Sequence, residues 1–329
     1  MVPTPLAGHE FAGALETGDV YDRLGGTDGR VVLVEADGLP DRLDPASMER
    51  LVTLPAVVVA LCDTPSRRPD WADLVCAPDG PGPGSVAAVV GDNPLAATVL
   101  AVLLRSGGSR TIHEGLVAES TAYGLLQGGP EFTRWRTGRP PRRRSVPVGP
   151  AVRLQRDHDE LEVTLDRPEV RNALDSAMRD ELVAALTVAA LDPTVTAVHL
   201  RGAGPSFCSG GDLDEFGSRS DPATAHLIRL LVSPARALAE VADRTTAHLQ
   251  GDAVGSGIEL AAFAHRVVAE PTTRISLPEV RLGLIPGAGG TVSLPRRIGR
   301  HRTLELALST APIDAATALD WGLVDHVGS

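Results

Sequence analysis

The 329-residue sequence contains no lysine, so all 31 of its basic residues are arginine. Any phosphate contact must therefore come from arginine side chains or from backbone amides. Acidic residues number 42, which gives a formal net charge of −11. This charge argues against nucleic acid or an anionic membrane surface as the main partner.

Aromatic residues, cysteines and long apolar runs are also scarce. Aromatics make up 3% of a chain that is 43% hydrophobic, so Ala, Val and Leu must fill the core. Cys62, Cys76 and Cys208 lack metal-ligand spacing and cannot all pair, which predicts reduced thiols in a cytoplasmic protein. The sequence has neither a signal-peptide pattern nor an apolar run of the ~18 residues that a bilayer-spanning helix needs. We therefore expect no export signal and no membrane span.

Residues 136–152 interrupt the sequence with four prolines, two glycines and five arginines, a composition that predicts a linker. Clustered arginines are typical of a nucleic-acid-binding arm or of a solvated hinge, and the acidic balance of the whole chain favours the hinge. The chain is therefore divided into residues 1–135, the linker 136–152, and residues 153–329.

After the linker, the apolar pattern alternates between the periods of a strand and of a helix. Strands are predicted at 161–168, 195–204, 245–250 and 266–271, and helices at 173–191, 223–242 (interrupted near Pro234) and 257–265. Residues 1–135 repeat this pattern more weakly, with strands at 29–38 and 55–62 and helices at 93–105 and 114–127. The alternation predicts an α/β fold.

Two acids stand beside glycine- or proline-rich turns: Glu259 in GDAVGSGIEL and Glu279 in SLPEVRLG. Taken alone, a glutamate in the first turn of a helix is typical of an exposed residue that interacts with the helix dipole, and Glu279 is typical of an exposed loop acid. The GAGG at 287–290 lacks the G-K-[ST] of a phosphate loop. Val254 breaks the G-x-S-x-G pattern of a nucleophile elbow.

Five segments together carry a family resemblance: LDRPEVRNALDSAMRDEL, GAGPSFCSGGDLDEF, GDAVGSGIELAAFAHRVVAEP, ISLPEVRLGLIPGAGGTVSLPRRIG and APIDAATALDWGLVDHV. In order and spacing, residues 161–327 resemble the crotonase (enoyl-CoA hydratase/isomerase) superfamily. The resemblance implies a crotonase-like (ClpP/crotonase) α/β spiral of repeated β-β-α units. It also implies a homo-oligomer, a trimer or a hexamer built from two trimers.

The resemblance implies a site for an acyl-CoA or acyl-carrier-protein thioester. The backbone amides of Gly211 and Ser256 would bind the oxyanion, and Ser256 stands where the family usually has glycine. Glu259 and Glu279 would transfer protons. It further implies substrate or CoA contacts from Arg171, Asn172, Ala173, Ser209, Gly210, Asp212, Leu213, Phe216, Gly255, Pro278 and Gly287. No metal or redox cofactor is implied, because CoA arrives as part of the substrate.

Family members continue past the last matching segment with helices that close the CoA site and contribute to trimer contacts. Residues 93–135 loosely resemble those helices. We therefore predict that residues 1–135 form a degenerate crotonase-like half or a helical accessory domain. Its helices would cover the core of residues 153–329, within one chain or by exchange between subunits.

Three functions are compatible with these features. The first is an acyl-thioester hydratase or dehydratase that uses both glutamates. The second is an isomerase or a carbon–carbon lyase of the same fold that uses one glutamate. The third is a non-catalytic partner subunit, favoured by the atypical N-terminal half and opposed by the presence of both acids and both glycine turns.

Overall fold

The structure, a computed structural model, describes residues 2–26, 29–64, 67–76, 82–139, 149–218, 221–309 and 311–328. Most of the predicted linker, residues 140–148, lies outside the described residues. In the described part of the chain, no single helix is long and apolar enough to cross a bilayer, and one bent helix pair, Pro83–Asp92 with Pro94–Arg105, meets that test jointly.

The N-terminal part contains a parallel sheet in which the strands lie in chain order: β1 (Val31–Glu35), β2 (Val57–Leu61) and β3 (Leu74–Cys76). Its helices are α1 (Gly8–Thr17), α2 (Val20–Leu24), α3 (Pro45–Val52), α4 (Pro83–Asp92), α5 (Pro94–Arg105), α6 (Ile112–Gln127) and α7 (Pro130–Thr137). Helix α6 begins with a capping box, in which Thr111 accepts from the Glu114 amide and Glu114 accepts from the Thr111 amide.

The C-terminal part contains two sheets within the described residues. The larger has the order β12-β9-β7-β6-β5-β4 and is parallel except for the β4–β5 hairpin. The smaller has the order β11-β10-β8, with β8 and β10 parallel. The strands are β4 (Val152–Asp157), β5 (Glu160–Leu165), β6 (Ala197–Gly202), β7 (Thr245–Leu249), β8 (Asp252–Val254), β9 (Arg266–Ala269), β10 (Arg274–Ser276), β11 (Ile313–Asp314) and β12 (His326–Val327).

Helices of the C-terminal part pack over these sheets. They are α8 (Ser176–Leu191), α9 (Pro222–Leu231), α10 (Pro234–Glu240), α11 (Ser256–Ala261), α12 (Gly290–Leu308, kinked at Gly299) and α13 (Ala315–Trp321). Asp175 caps α8 by accepting from the Met178 amide. The helix predicted at 257–265 is shorter than expected, because α11 ends at Ala261 and the chain turns into β9 at Arg266.

Helices α5, α6 and α7 lie against the C-terminal core of the same chain. Gly115 of α6 lets Val292 of α12 approach so closely that a Cβ on Gly115 would lie 2.8 Å from Val292 Cγ2. Arg229 of α9 donates to the Ser120 hydroxyl of α6 over 2.9 Å. One cluster of buried apolar residues spans both parts and includes Leu33 and Val57 from the N-terminal sheet, while a second cluster, with Phe11 and Trp71, lies within the N-terminal part. The division into a degenerate half, a linker and a catalytic core stays a prediction.

A buried ion pair ties α5 to the N-terminal sheet and to α12. Arg105 and Asp73 form a salt bridge in which each side chain is 2% exposed. Arg105 also donates to the Leu54 carbonyl over 2.7 Å, and Arg300 of α12 lies 3.3 Å from the Asp73 carboxylate. A buried pair is tolerated when its remaining donors and acceptors are used in this way.

Candidate active site

Three stretches of chain run side by side and end at the same place. Ala253 of β8 pairs in parallel with Ile275 of β10 on one side and with Cys208 on the other. Parallel segments end on the same edge of a sheet, so the residues that follow each of them are brought together. Those residues are Gly211, Ser256 and Glu279, which the sequence placed in three separate motifs.

Gly255 turns the chain from β8 into α11. Its φ of +49° lies in a region that favours glycine, and a Cβ there would overlap the Glu279 carboxylate. Ser256 follows this turn as the first residue of α11, and neither its amide nor that of Gly211 donates a backbone hydrogen bond to the described residues. Two residues whose amides have no backbone partner among the described residues therefore line the same cavity, and one of them begins a helix.

Glu259 is buried in the first turn of α11, with 2% of its surface exposed. Its Oε2 accepts from the amides of Ala288 (2.7 Å) and Gly290 (2.9 Å), which leaves Oε1 without a hydrogen bond to the described residues. Burial, and then the nearby carboxylates of Glu279 and Glu119, raise the pKa of Glu259 well above its usual value. The exposed surface role that an isolated glutamate would suggest is therefore wrong.

Glu279 is also buried, with 7% exposed, at the start of a short 3-10 helix that ends at Leu282. Its Oε2 has no hydrogen-bond partner among the described residues. Burial is the main reason that the pKa of Glu279 rises to about 7, and the negative charge of Glu119 adds to it. A buried carboxylate of this kind is set to bind a polar group or a water brought by a ligand.

These groups line a cavity of about 400 Å³. The cavity wall includes Gly211, Ser256, Glu259 and Glu279, and its apolar part comes from side chains such as Leu116, Tyr123, Leu174, Phe216 and Leu230. One whole wall is helix α6, from the N-terminal part of the chain. The cavity wall therefore combines buried carboxylates with apolar side chains, the composition typical of a small-molecule site.

A third buried carboxylate, Glu119 of α6, also lines the cavity and was not predicted from the sequence. Glu119 is 2% exposed and accepts from the amides of Gly289 (2.7 Å) and Thr291 (2.8 Å) and from the Thr291 hydroxyl (2.7 Å). Burial raises the pKa of Glu119 to about 7 against the opposing effect of these hydrogen bonds. The available signal was its position, because Glu119 lies at helical spacing between the inward-facing Leu116 and Tyr123.

The predicted substrate-binding residues divide into two groups. Besides the two glutamates and the two amide donors, the cavity is lined by Asp212, Phe216 and Gly287. The others do not line it: Arg171, Ala173, Ser209, Gly210, Leu213, Gly255, Pro278 and Asn172. A role for this second group toward the CoA moiety, outside the cavity, stays a prediction.

Asn172 has a structural task for its side chain. It is fully buried, its Oδ1 accepts from the Arg167 amide (2.8 Å), and its Nδ2 donates to the carbonyls of Ala203, Ser206 and Phe207. Arg171 and Asn172 both have positive φ, at +53° and +55°. The side chain of Asn172 therefore stabilises this strained turn, which leaves only its backbone for the predicted contact.

Comparison with known proteins gives the same family as the motifs. A family model described as enoyl-CoA hydratase/isomerase matches residues 159–329, just over half of the chain. The chain is 38% identical over 177 residues to the enoyl-CoA isomerase/hydratase fer4 of Mycosarcoma maydis, covering 50% of this chain and 64% of fer4. It is 37% identical over 174 residues to the 2,3-dehydroadipyl-CoA hydratase of Escherichia coli, covering 53% of this chain and 68% of that protein. The match thus spans about two thirds of each relative.

Solved structures are similar over the same region. An enoyl-CoA hydratase of Bacillus anthracis aligns with a TM-score of 0.50 and 30% identity, covering 54% of this chain and 70% of that one. An enoyl-CoA hydratase/isomerase of Marinobacter aquaeolei gives a TM-score of 0.50 and 31% identity, with the same coverage. The predicted crotonase fold is confirmed for this region, and the chain belongs to the enoyl-CoA hydratase/isomerase family, the crotonase superfamily.

Proposed function

We propose that the protein is a hydratase or dehydratase of α,β-unsaturated acyl thioesters. The observation that carries the proposal is that two buried carboxylates of raised pKa and two unengaged backbone amides line the same cavity. The named activities of the relatives support the same class of substrate. CoA, or the carrier protein, is part of the substrate, and the proposal needs no metal or redox cofactor.

The amides of Gly211 and Ser256 would receive the thioester carbonyl oxygen. Negative charge grows on this oxygen as water attacks the β-carbon, so donors already aimed at it lower the barrier. The positive end of α11 points to the same place. These amides polarise the substrate, and they serve every reaction of this fold that passes through an enolate.

Glu259 and Glu279 would share the proton transfers. Hydration needs one carboxylate to take a proton from the attacking water and one carboxylic acid to give a proton to the α-carbon. Two close carboxylates in a buried site do not ionise together, because the charge of one raises the pKa of the other. Such a pair holds one proton near neutral pH, as this reaction requires.

The apolar part of the cavity would hold the acyl chain. Helix α6 lines this part with Leu116 and Tyr123, and an acyl chain bound there would displace water from the apolar wall. The N-terminal part of the chain would therefore supply the cover of the site. Assembly into trimers or hexamers, implied by the resemblance, stays a prediction that light scattering on the purified chain would check.

The test is an absorbance assay of crotonyl-CoA hydration with the native protein and with Glu259→Gln and Glu279→Gln. Each variant keeps the size of the side chain and removes its acid–base function, so each should lose about 10²–10⁴-fold in kcat. Glu160→Gln, an exposed change on β5, is the matched control and should leave kcat unchanged.

Other results would select the alternatives. Loss of activity in one glutamate variant only, with migration of the double bond or cleavage of a carbon–carbon bond, would identify an isomerase or a lyase. Absence of turnover with a series of enoyl-CoA chain lengths, in a folded native protein, would contradict the proposal and favour a non-catalytic partner subunit.

A further inference from the structure

Helix α12 begins without a cap from its own neighbourhood. Its N-cap is Gly289, at φ +101°, which has no side chain to accept from the first-turn amides. A side chain would not fit there, because a Cβ on Gly289 would lie 2.8 Å from Ala235 Cβ. The first amides of a helix need acceptors, and here these come from residues distant in sequence.

The four successive amides of residues 288–291 donate hydrogen bonds alternately to two carboxylates. Glu259 accepts from Ala288 and Gly290, and Glu119 accepts from Gly289 and Thr291. The two acids therefore hold opposite sides of one short stretch of backbone. A shift of residues 288–291 would break hydrogen bonds to both carboxylates at once.

We propose that Glu119 is a positioning residue for the reaction: by holding the amides of Gly289 and Thr291, it fixes the turn whose other two amides, those of Ala288 and Gly290, orient the Glu259 carboxylate. The inference rests on the proposed function, since it assigns Glu259 a part in the reaction. Both amides bind Oε2 of Glu259, so the position of the turn decides where Oε1 points. A misplacement of about 1 Å in such a group can cost on the order of 100-fold in rate.

The charge of Glu119 acts on the same group. The Glu119 carboxylate faces the side chains of Glu259 in α11, Glu279, and Arg229 in α9. On its own helix its neighbours are Tyr123 and Ser120, and the Ser120 hydroxyl is hydrogen-bonded to His226. A negative charge at Glu119 raises the pKa of both Glu259 and Glu279. Removing it lowers both values, so a pH–rate profile that depends on these acids moves to lower pH.

The chain offers a matched control in Glu131 of α7. It too is buried, at 5% exposed, and accepts from two amides at a helix start, those of Leu95 (2.8 Å) and Ala96 (2.9 Å) of α5. It does not line the cavity. Glu131→Gln therefore removes a buried, amide-binding carboxylate without touching the turn at 288–291.

The experiment compares the native protein, Glu119→Gln and Glu131→Gln. Turnover of crotonyl-CoA is followed across pH, and exchange of the Ala288, Gly289, Gly290 and Thr291 amides is followed by NMR. Glu119→Gln should lower kcat about 10–100-fold with KM within about threefold, and move the pH optimum down. It should also speed exchange at Ala288 and Gly290, which Glu119 does not itself bind. Glu131→Gln should change none of these.

If Glu119→Gln does not fold, Thr291→Val supplies the second variant, because it removes only the hydroxyl that Glu119 accepts from. It should change kcat and exchange in the same direction by a smaller factor. Native protein without turnover would mean that the proposed function fails. Native turnover with equal kcat in Glu119→Gln and Glu131→Gln, or unchanged exchange at Ala288 and Gly290, would overturn the role of Glu119.

Discussion

The ring of Tyr123 occupies the space that a side chain on Gly287 would need. A Cβ on Gly287 would lie 2.6 Å from Cε2 of Tyr123, and both residues line the cavity. The contact joins α6 to the turn that leads into α12. It lies in the cavity wall, where the N-terminal part of the chain meets the core.

Gly287→Ala should therefore be destabilising. Overpacking of this kind costs about 1–3 kcal/mol in unfolding free energy, measured by urea denaturation. It should also change KM for acyl-CoA, because the ring of Tyr123 lines the cavity and must shift. Gly91→Ala is the control, since a Cβ there meets nothing within 4 Å, and it should leave the free energy unchanged or slightly raised. Equal stabilities for the two variants would contradict the contact.

Ser256→Pro tests the proposed amide donor directly. Ser256 is the first residue of α11, a position where proline is well tolerated in helices because its amide has no partner within the helix. Loss of that N–H should lower kcat about 100–1,000-fold while circular dichroism stays native. Ser256→Gly keeps the amide and should retain most of the activity. A folded proline variant with native kcat would exclude Ser256 as the donor.

Glu279→Gln should change how stability depends on pH. Because the pKa of Glu279 is about 7 in the folded protein and about 4.3 in an unfolded chain, the folded state binds the extra proton between these values. Its contribution to stability is therefore greatest at acid pH and falls as pH rises to about 7. Between pH 5 and pH 8, the unfolding free energy of the variant should rise by about 1–3 kcal/mol relative to that of the native protein, as measured by urea titrations. A constant difference across pH would contradict the raised pKa.

Arg105→Met should strongly destabilise the fold. It leaves the buried carboxylate of Asp73 without its main partner, and breaking a buried pair costs about 3–5 kcal/mol. Arg42→Met is the control, because Arg42 and Asp70 form an exposed pair with side chains 82% and 51% exposed. Such a pair contributes at most about 1 kcal/mol. Similar losses of unfolding free energy in the two variants would show that the buried Arg105–Asp73 pair stabilises the fold no more than the exposed pair does.

The sequence was sufficient to predict the elements whose structure is decided by residues close together in the chain. Strand and helix periods placed β5, β7, β9, α5 and α6 within a few residues of their observed bounds. Such features are local because the phase of a strand or a helix is set by neighbouring residues. Ser256 and Glu259, which the structure brings to the cavity, were assigned to the site by the family resemblance, since the local pattern alone is typical of an exposed acid.

Glu119 shows where local information ends. It meets Gly289 across 170 residues of sequence, and its own helix contains no glycine turn or proline to mark a site. Only the packing of α6 on α12 reveals that its carboxylate caps another helix. The same limit applies to Asn172, which the resemblance linked to CoA and whose side chain the fold uses to bind three carbonyls.

The order of these elements along the chain has a consequence during protein synthesis. Helix α6 leaves the ribosome well before the turn at 288–291, and at ~5–20 residues per second a gap of 170 residues lasts about 10–30 s. For that interval the Glu119 carboxylate stays exposed, without the amides of Gly289 and Thr291 that it binds in the finished protein. A slow codon between these elements would lengthen the exposure, and the demand on chaperones, while leaving every contact of the finished protein unchanged.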